Sequence, residues 1–421
     1  MRPPRIPYSR QVISEEDITA VMAVLRSDHL TQGPQVPAFE RAMAERHQVA
    51  HAVAVGNATQ ALHIASLALG VGPGTRVWTS PNSFVASANC ALYCGAQVDF
   101  VDIDPVTRNL SVEALHRKLV QARASRALPK VLIPVDFGGL PADLREMRLL
   151  ADEFGFSILE DASHATGASY QGRPVGSQWA DATVFSFHAV KIITTAEGGM
   201  VTTQNEELAA RMQALRSHGI TRDPGLMRAR PEGEWVYEQQ SLGFNARMTE
   251  LQAALGLSQL RRIDDMRARR AALAARYGDL MGDLPLGLPC EPSDRQSAWH
   301  LYPVTLEGGP RNRAEVFACM RSAGVGVNVH YIPIHTQPFY RDLGFGEGDF
   351  PQAERYYARA LTLPLHPTLS FEEQEEVVAA LRRALSPAVL RPRPLGTDFA
   401  SCASSSSEDA NTGLRTLPVA A

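Results

Sequence analysis

An α/β fold built on a mainly parallel sheet is what this chain predicts, on three observations. Between about residues 12 and 205, short apolar β-rich runs alternate with longer helical patterns. Polar or glycine-containing turns separate them, and no internal repeat is visible. Strands that alternate with helices form βαβ units whose parallel sheet is covered on both faces.

The strands are expected at "HAVAVG", "RVWTS", "AQVDFVDI", "KVLIPVDF", "FSILED", "DATVFSF" and "GMVTT". The helical stretches "NATQALHIASLALG", "SFVASANCALYCG", "SVEALHRKLVQA" and "PADLREMRLLADEFG" separate the first five. From about 245 to 280 the pattern becomes one long helix, interrupted at most by a glycine, of the kind that bridges domains. "WHLYPVTL", "RAEVFACMRSAG", "VGVNVHYIP" and "FEEQEEVVAALRRAL" then suggest a smaller α+β domain ending near 386. The expected organisation is a large domain over 1–256, a small domain over 257–386, and a disordered tail over 387–421, where "SCASSSSEDANTG" is Ser-rich without periodicity. A chain of 421 residues exceeds what one hydrophobic core supports, which agrees with that division.

Composition excludes several functions. Forty-one Lys plus Arg against 45 Asp plus Glu gives a net charge of −4, with no electrostatic footprint for nucleic acid or an anionic membrane. Small molecules and other protein chains are the expected partners. No apolar run approaches the roughly 20 residues of a membrane span, and "MRPPRIPYSR" lacks a secretory h-region, so a cytoplasmic location is expected. Cys90, Cys94, Cys290, Cys319 and Cys402 form no CxxC pair, which argues against a disulfide framework or structural zinc. Cys90 and Cys94 read as small buried helix residues.

Ligands of parallel α/β sheets bind at the carboxyl ends of the strands, and four features lie there. In "AVAVGNATQALHIA" the turn Gly56-Asn57-Ala58-Thr59 opens a helix whose free N–H groups suit a phosphate, with Asn57 and Thr59 as side-chain donors. An ordinary N-cap is the alternative. "FSILEDASH" ends a strand on Glu160 and Asp161, with His164 three further on; a carboxylate there can hold a proton on a ring nitrogen, or simply cap a helix. "FSFHAVKIITTAEGG" places Lys191 at the end of an apolar strand, five residues after Ser186, so that a hydroxyl reaches an anion while the amine reaches a carbonyl. In "SPNSFVASANC", Phe84 follows a strand and either covers a planar ring or packs in the core. Together these groups are what pyridoxal 5'-phosphate (PLP) requires. By contrast "GVGPGT" precedes a strand, the reverse of a dinucleotide loop, and Pro333 within "HYIPIH" forbids the helical spacing of a zinc-protease motif. No metal is expected.

With "LTQGPQVPAFE", "EDASHATG", "RSHGITRDP", "LGFNARMTELQAALGLSQL" and "VNVHYIPIHTQPFYR" added, the chain from about Ile6 to Leu385 resembles the DegT-type PLP-dependent nucleotide-sugar aminotransferases. The resemblance implies a large PLP-binding domain of the aspartate aminotransferase fold (PLP fold type I) with a smaller C-terminal α+β domain. It implies Lys191 as the imine-forming lysine and acid/base, Asp161 on the pyridine N–H, Ser186 and the Asn57-Ala58-Thr59 turn on the phosphate, and Phe84 on the ring face. His164 would stand near the ring's phenolic oxygen. Asn245 would reach the cofactor of the other subunit, which implies a homodimer with shared sites. Tyr8, Asp28, His29, Leu30, Thr31, His330, Tyr331, Ile332 and Pro333 match the family's substrate-contacting stretches.

Within the family, "SHGITRDP", "HYIP" and "IPYSRQVISEEDI" resemble the branch that serves pseudaminic acid biosynthesis. That implies amino transfer from L-glutamate to the UDP-4-keto sugar UDP-2-acetamido-2,6-dideoxy-β-L-arabino-hex-4-ulose. One departure is that Gly56-Asn57 stands where that branch has Asn-Ser, replacing a hydroxyl by an amide at 57. Related sugar dehydratases replace the lysine by histidine, so Lys191 favours transamination; a non-catalytic sensor would not need Lys191, Asp161 and Ser186 together. Aminotransferases of the 4-amino-arabinose, perosamine or bacillosamine type would keep the same cofactor residues.

Overall fold

The computed structural model describes residues 3–308 and 312–386. The tail expected to be disordered, with Cys402, lies outside the described residues.

A seven-stranded sheet forms from β1 (His51–Val55), β2 (Arg76–Thr79), β3 (Gln97–Phe100), β4 (Val131–Ile133), β5 (Ser157–Asp161), β6 (Ala182–Ser186) and β7 (Gly199–Thr203), each at its expected segment. Their order is β1-β7-β6-β5-β4-β2-β3. The pairings β2–β3, β2–β4, β4–β5 and β5–β6 are parallel, while β7 runs antiparallel to both β1 and β6. Val55 and Ser186, the last residues of β1 and β6, both sit opposite Gly199, the first residue of β7. Alternating side chains feed two cores. Val53, Leu159, Val184 and Val201 pack on one face with helix Ala58–Ala68, and Ala52, Ala54, Phe185 and Met200 pack on the other with Phe39 and Met248. Burial on both faces is why these strands read as nearly continuous apolar runs.

The long helix expected near 245–280 is two helices, Glu250–Leu260 and Ile263–Met281. The break falls at Arg261–Arg262 rather than at the glycine. Gly256 lies inside the first helix because a Cβ there would come within 2.7 Å of the Phe39 ring and 2.8 Å of Thr195. Arg262 leaves helical geometry at φ −111° and ψ 10°. Its guanidinium reaches buried Asp17, which also accepts from Ser258 Oγ at 2.7 Å and Gln259 Nε2 at 2.6 Å. A tertiary ion pair therefore ends the helix where intrinsic propensity would continue it.

Farther along, Leu286–Gly287, Tyr302–Leu306 and Ala360–Leu363 form an antiparallel three-stranded sheet over a core with Leu273, Tyr277, Val316, Val377 and Leu381. Helix Phe371–Leu385 starts on a capping box between Ser370 and Glu373. "VGVNVHYIP" is irregular, tied by single bridges Ile6↔Val325 and Asn328↔Thr362. Among the described residues no helix is long and apolar enough to cross a membrane.

Candidate active site

Lys191 is not on a strand end. β6 stops at Ser186, and the lysine projects from the loop that follows it and returns as β7. Hydroxyl-bearing residues close this loop. Phe187 N donates to Gly198 O at 2.9 Å, Thr195 N to Phe187 O at 2.9 Å, and Ala196 N to Thr194 Oγ1 at 2.9 Å. Ala196 takes the left-handed conformation, φ +64°, that this reversal needs. Loss of water around the amine pushes the Lys191 pKa down to about 8, against the opposing effect of the Asp161 charge. A substantial neutral fraction then exists near neutral pH, as a nucleophilic amine requires.

Asp161 ends β5 and is buried. Ser87 Oγ donates to its Oδ2 at 2.6 Å and Ser163 N to its Oδ1 at 3.2 Å, so the carboxylate is fixed in direction. Ser87, on helix Ala86–Tyr93, was not foreseen; its only signal is a small polar residue on an otherwise apolar helix face after Phe84. Asn57 does cap helix Ala58–Ala68, its Oδ1 accepting from Gln60 N at 2.9 Å. The N-cap reading of its side-chain oxygen is thus correct, and the amides of Ala58 and Thr59 keep no partner among the described residues. They remain available for an anion. Ser186 Oγ accepts from His188 N at 3.4 Å, and Phe84, 59% exposed, stands with its ring 6.5 Å from that of Tyr331.

Three imidazoles face the lysine. His164 Nδ1 accepts from Gly138 N at 3.3 Å, so its proton is on Nε2, which lies 3.2 Å from the Tyr331 hydroxyl oxygen. Nε2–H donates to that oxygen, and the hydroxyl hydrogen of Tyr331 is left free to donate into the cavity. His330 Nδ1 lies 2.9 Å from Thr362 Oγ1, and its ring is 5.8 Å from that of Tyr8. Burial, reinforced by the Lys191 charge, pushes the His330 pKa down to about 3 and those of His164 and His300 well below the usual range. All three are neutral. His300 was not foreseen either: it lies two residues before strand Tyr302–Leu306, a position that carries no local motif.

These groups line a cavity of about 740 Å³. It brings together Tyr8, Asn57, Ala58, Thr59, Phe84, Asp161, His164, Ser186, Lys191, His330 and Tyr331. The structure does not bring the other expected residues there. Asp28, His29, Leu30, Thr31, Asn245 and Ile332 are exposed, and Pro333 is buried outside the cavity. Asn245 instead bridges Ser217. His335, the second histidine of "HYIPIH", is turned to Glu354 at 2.8 Å. His188, without a sequence-derived role, borders the cavity 3.9 Å from Glu197.

The residues fit PLP by their donor set: two unpaired amides at a helix N-terminus for the phosphate, a fixed carboxylate for the ring nitrogen, and a lysine of lowered pKa. The DegT/DnrJ/EryC1/StrS aminotransferase family model matches residues 11–382. The spore coat polysaccharide biosynthesis protein SpsC of Bacillus subtilis is 40% identical over 382 residues, covering 90% of this chain and 96% of SpsC. PseC of Helicobacter pylori, an aminotransferase involved in the biosynthesis of pseudoaminic acid, is 31% identical with a TM-score of 0.81, over 90% of this chain and 99% of that one. Spr1654 of Streptococcus pneumoniae, named as a sugar aminotransferase and solved in its PLP form, is 30% identical with a TM-score of 0.80, over 90% of this chain and 100% of that one. The chain belongs to the DegT/DnrJ/EryC1/StrS aminotransferase family, with its aspartate aminotransferase-like fold, and is a PLP-dependent sugar aminotransferase.

Proposed function

We propose that this enzyme transfers the amino group of L-glutamate to UDP-2-acetamido-2,6-dideoxy-β-L-arabino-hex-4-ulose. The products would be UDP-4-amino-4,6-dideoxy-N-acetyl-β-L-altrosamine and 2-oxoglutarate, in pseudaminic acid biosynthesis. The cavity that gathers Lys191, Asp161 and the Ala58–Thr59 amides carries the transamination. The likeness to PseC supports the sugar.

When bound, PLP supplies an electron sink that lets the proton on the amino donor's α-carbon be removed. In this reading Ala58 N, Thr59 N and Ser186 hold the phosphate. Asp161 holds a proton on the ring nitrogen, its direction set by Ser87 and Ser163. Phe84 covers one ring face at the cavity mouth. Lys191, neutral in part because burial lowers its pKa, moves a proton on and off the reacting carbon. Neutral His164, His300 and His330 add no positive charge that would raise the cost of protonating Lys191. Tyr331 offers its hydroxyl hydrogen to a substrate oxygen.

The same reading makes the protein a cytoplasmic homodimer. Exposed Asn245 would reach the neighbouring subunit's site, and exposed Asp28–Thr31 would meet substrate from across the interface. The working division remains a large domain over 1–256 and a small one over 257–386. The higher identity to SpsC favours a second reading, a C4-aminotransferase on another nucleotide sugar destined for a surface polysaccharide. Mass spectrometry of products from a panel of UDP- and dTDP-4-keto sugars decides between them. Aminated UDP-altrosamine alone supports the first, and preference for a dTDP or different UDP sugar overturns it.

A further inference from the structure

Behind Asp161 lie two carboxyls that the reaction does not use. Asp136 follows β4 and Glu160 is the penultimate residue of β5; both are fully buried. Side chains alternate along a strand, so Glu160 points through the sheet to the face opposite Asp161. The backbones are tied: Asp136 N donates to Asp161 O at 3.1 Å, and Asp161 N to Pro134 O at 2.8 Å.

Each carboxyl has one satisfied oxygen. Ala142 N donates to Asp136 Oδ1 at 2.8 Å, and Thr183 Oγ1 to Glu160 Oε2 at 2.7 Å. The other two oxygens, Asp136 Oδ2 and Glu160 Oε1, receive no N–H or O–H from the surrounding protein. Val135 bridges Asp161 in parallel, so the two side chains fall on one face of neighbouring strands, where these two oxygens are left to pair with each other. Two carboxylates can do so only if one carries a proton. Pairing with the other carboxyl works to raise the pKa of Asp136 and to lower that of Glu160, so the proton belongs on Asp136 and the ionised form on Glu160.

We infer that Asp136 and Glu160 hold one proton between them, on Asp136, and that the single charge left on Glu160 is a positioning charge that helps Asp161 keep the bound ring system protonated. The second half rests on the proposed role of Asp161. Burial, then the charge of the partner carboxyl, pushes the Asp136 pKa well up, and burial raises that of Glu160. Asp161 is the charged group that acts on both from the far face of the sheet. Nearby Arg295 donates to Pro141 O at 2.8 Å but is already held by Asp143 and Asp294, and neutral His164 bonds the Gly138 amide.

Infrared spectroscopy of the full chain tests the proton without any substitution. At neutral pH a C=O stretch of a protonated carboxylic acid is expected, moved by heavy-carbon labelling of aspartate side chains and unmoved by the same label in glutamate. No such band, or one that follows the glutamate label, overturns the assignment. The charge is read from the pH midpoint of the bound cofactor's visible absorbance. Glu160→Gln should move it down by roughly 0.5–1 unit, because a negative charge near a protonated group is lost. Asp136→Asn, which keeps a donor facing an ionised Glu160, should leave it in place. Equal midpoints in wild type and Glu160→Gln overturn the positioning role. A wild-type protein with no visible cofactor band would instead undermine the reading of Lys191 and Asp161, while leaving the infrared result to stand on its own.

Discussion

Two buried ionisable clusters lie near Asp161, one behind the strand that carries it and one in the cavity, and burial acts on them in opposite directions. On one side Asp136 and Glu160 have raised pKa values; on the other His164, His300 and His330 have lowered ones. Both responses disfavour charge, because a charged group loses more than a neutral one when water is withdrawn. Asp161 stands between the two. It is nearly as buried as its neighbours, but it accepts from Ser87 and Ser163, and the Lys191 amine lies in the same cavity. The comparison teaches that one and the same withdrawal of water favours the protonated form of an acid and the deprotonated form of a base.

The largest expected loss comes from removing the cavity's amine. Lys191→Ala should lower kcat by about 10⁴-fold, the upper range for a positioned acid/base group, and should abolish the visible absorbance of bound PLP. A variant that keeps colour and turnover would move the chemistry elsewhere. Asp161→Asn should follow, at roughly 10²–10³-fold in kcat with partial retention of cofactor, since one preorganised electrostatic partner is lost. Steady-state kinetics equal to wild type would mean that a different carboxylate does this work.

On the imidazole side the effects are smaller. Tyr331→Phe removes one hydrogen bond and should cost about tenfold in kcat/KM. His164→Leu should match it, because the tyrosine loses its orienting partner, while His164→Gln recovers part of the loss. The lowered Lys191 pKa gives a pH effect of definite sign. Only the neutral amine reacts with PLP, so the rate at which apoenzyme takes up cofactor should rise with pH through a midpoint near pH 8 and then level off. A rate still climbing at pH 10 would show an ordinary lysine.

Stability should show the smallest effect and the clearest contrast. His330, neutral when folded down to about pH 3, contributes stability that is present above its ordinary pKa near 6.5 and is lost as pH falls through that window. The raised carboxyls work the other way: their contribution is present at low pH and is lost as pH rises from the usual carboxylate range toward about 7 for Glu160. Thermal melts across pH 4–7 should therefore flatten on the acid side in His330→Asn. Parallel curves for wild type and variant would contradict the neutral assignment.

Much of this site was legible because its parts are local. Asp161 terminates an apolar run, Lys191 sits in a dense motif, and the turn at Asn57 joins a strand to a helix, so each could be placed from its own neighbours. Ser87 and His300 could not. Each matters through a contact with a residue far away in sequence, Asp161 in one case and His164 in the other. The helix break at Arg262 escaped for the same reason, since buried Asp17 causes it from the other end of the chain. Asp28–Thr31 and Asn245 were selected by likeness to a family whose sites are shared between subunits, and one chain leaves them at its surface.

The rung of the sheet at Gly199 has a mechanical consequence. Val55, from which the Asn57 turn departs, and Ser186, from which the lysine loop departs, meet across this one residue. A Cβ on it would lie 2.5 Å from the Asn57 carbonyl carbon, so strand and turn touch with no spare volume. The anion cradle and the amine are thus hung from a common hinge pin, and the span between them is governed by sheet register rather than by the loop that carries the lysine.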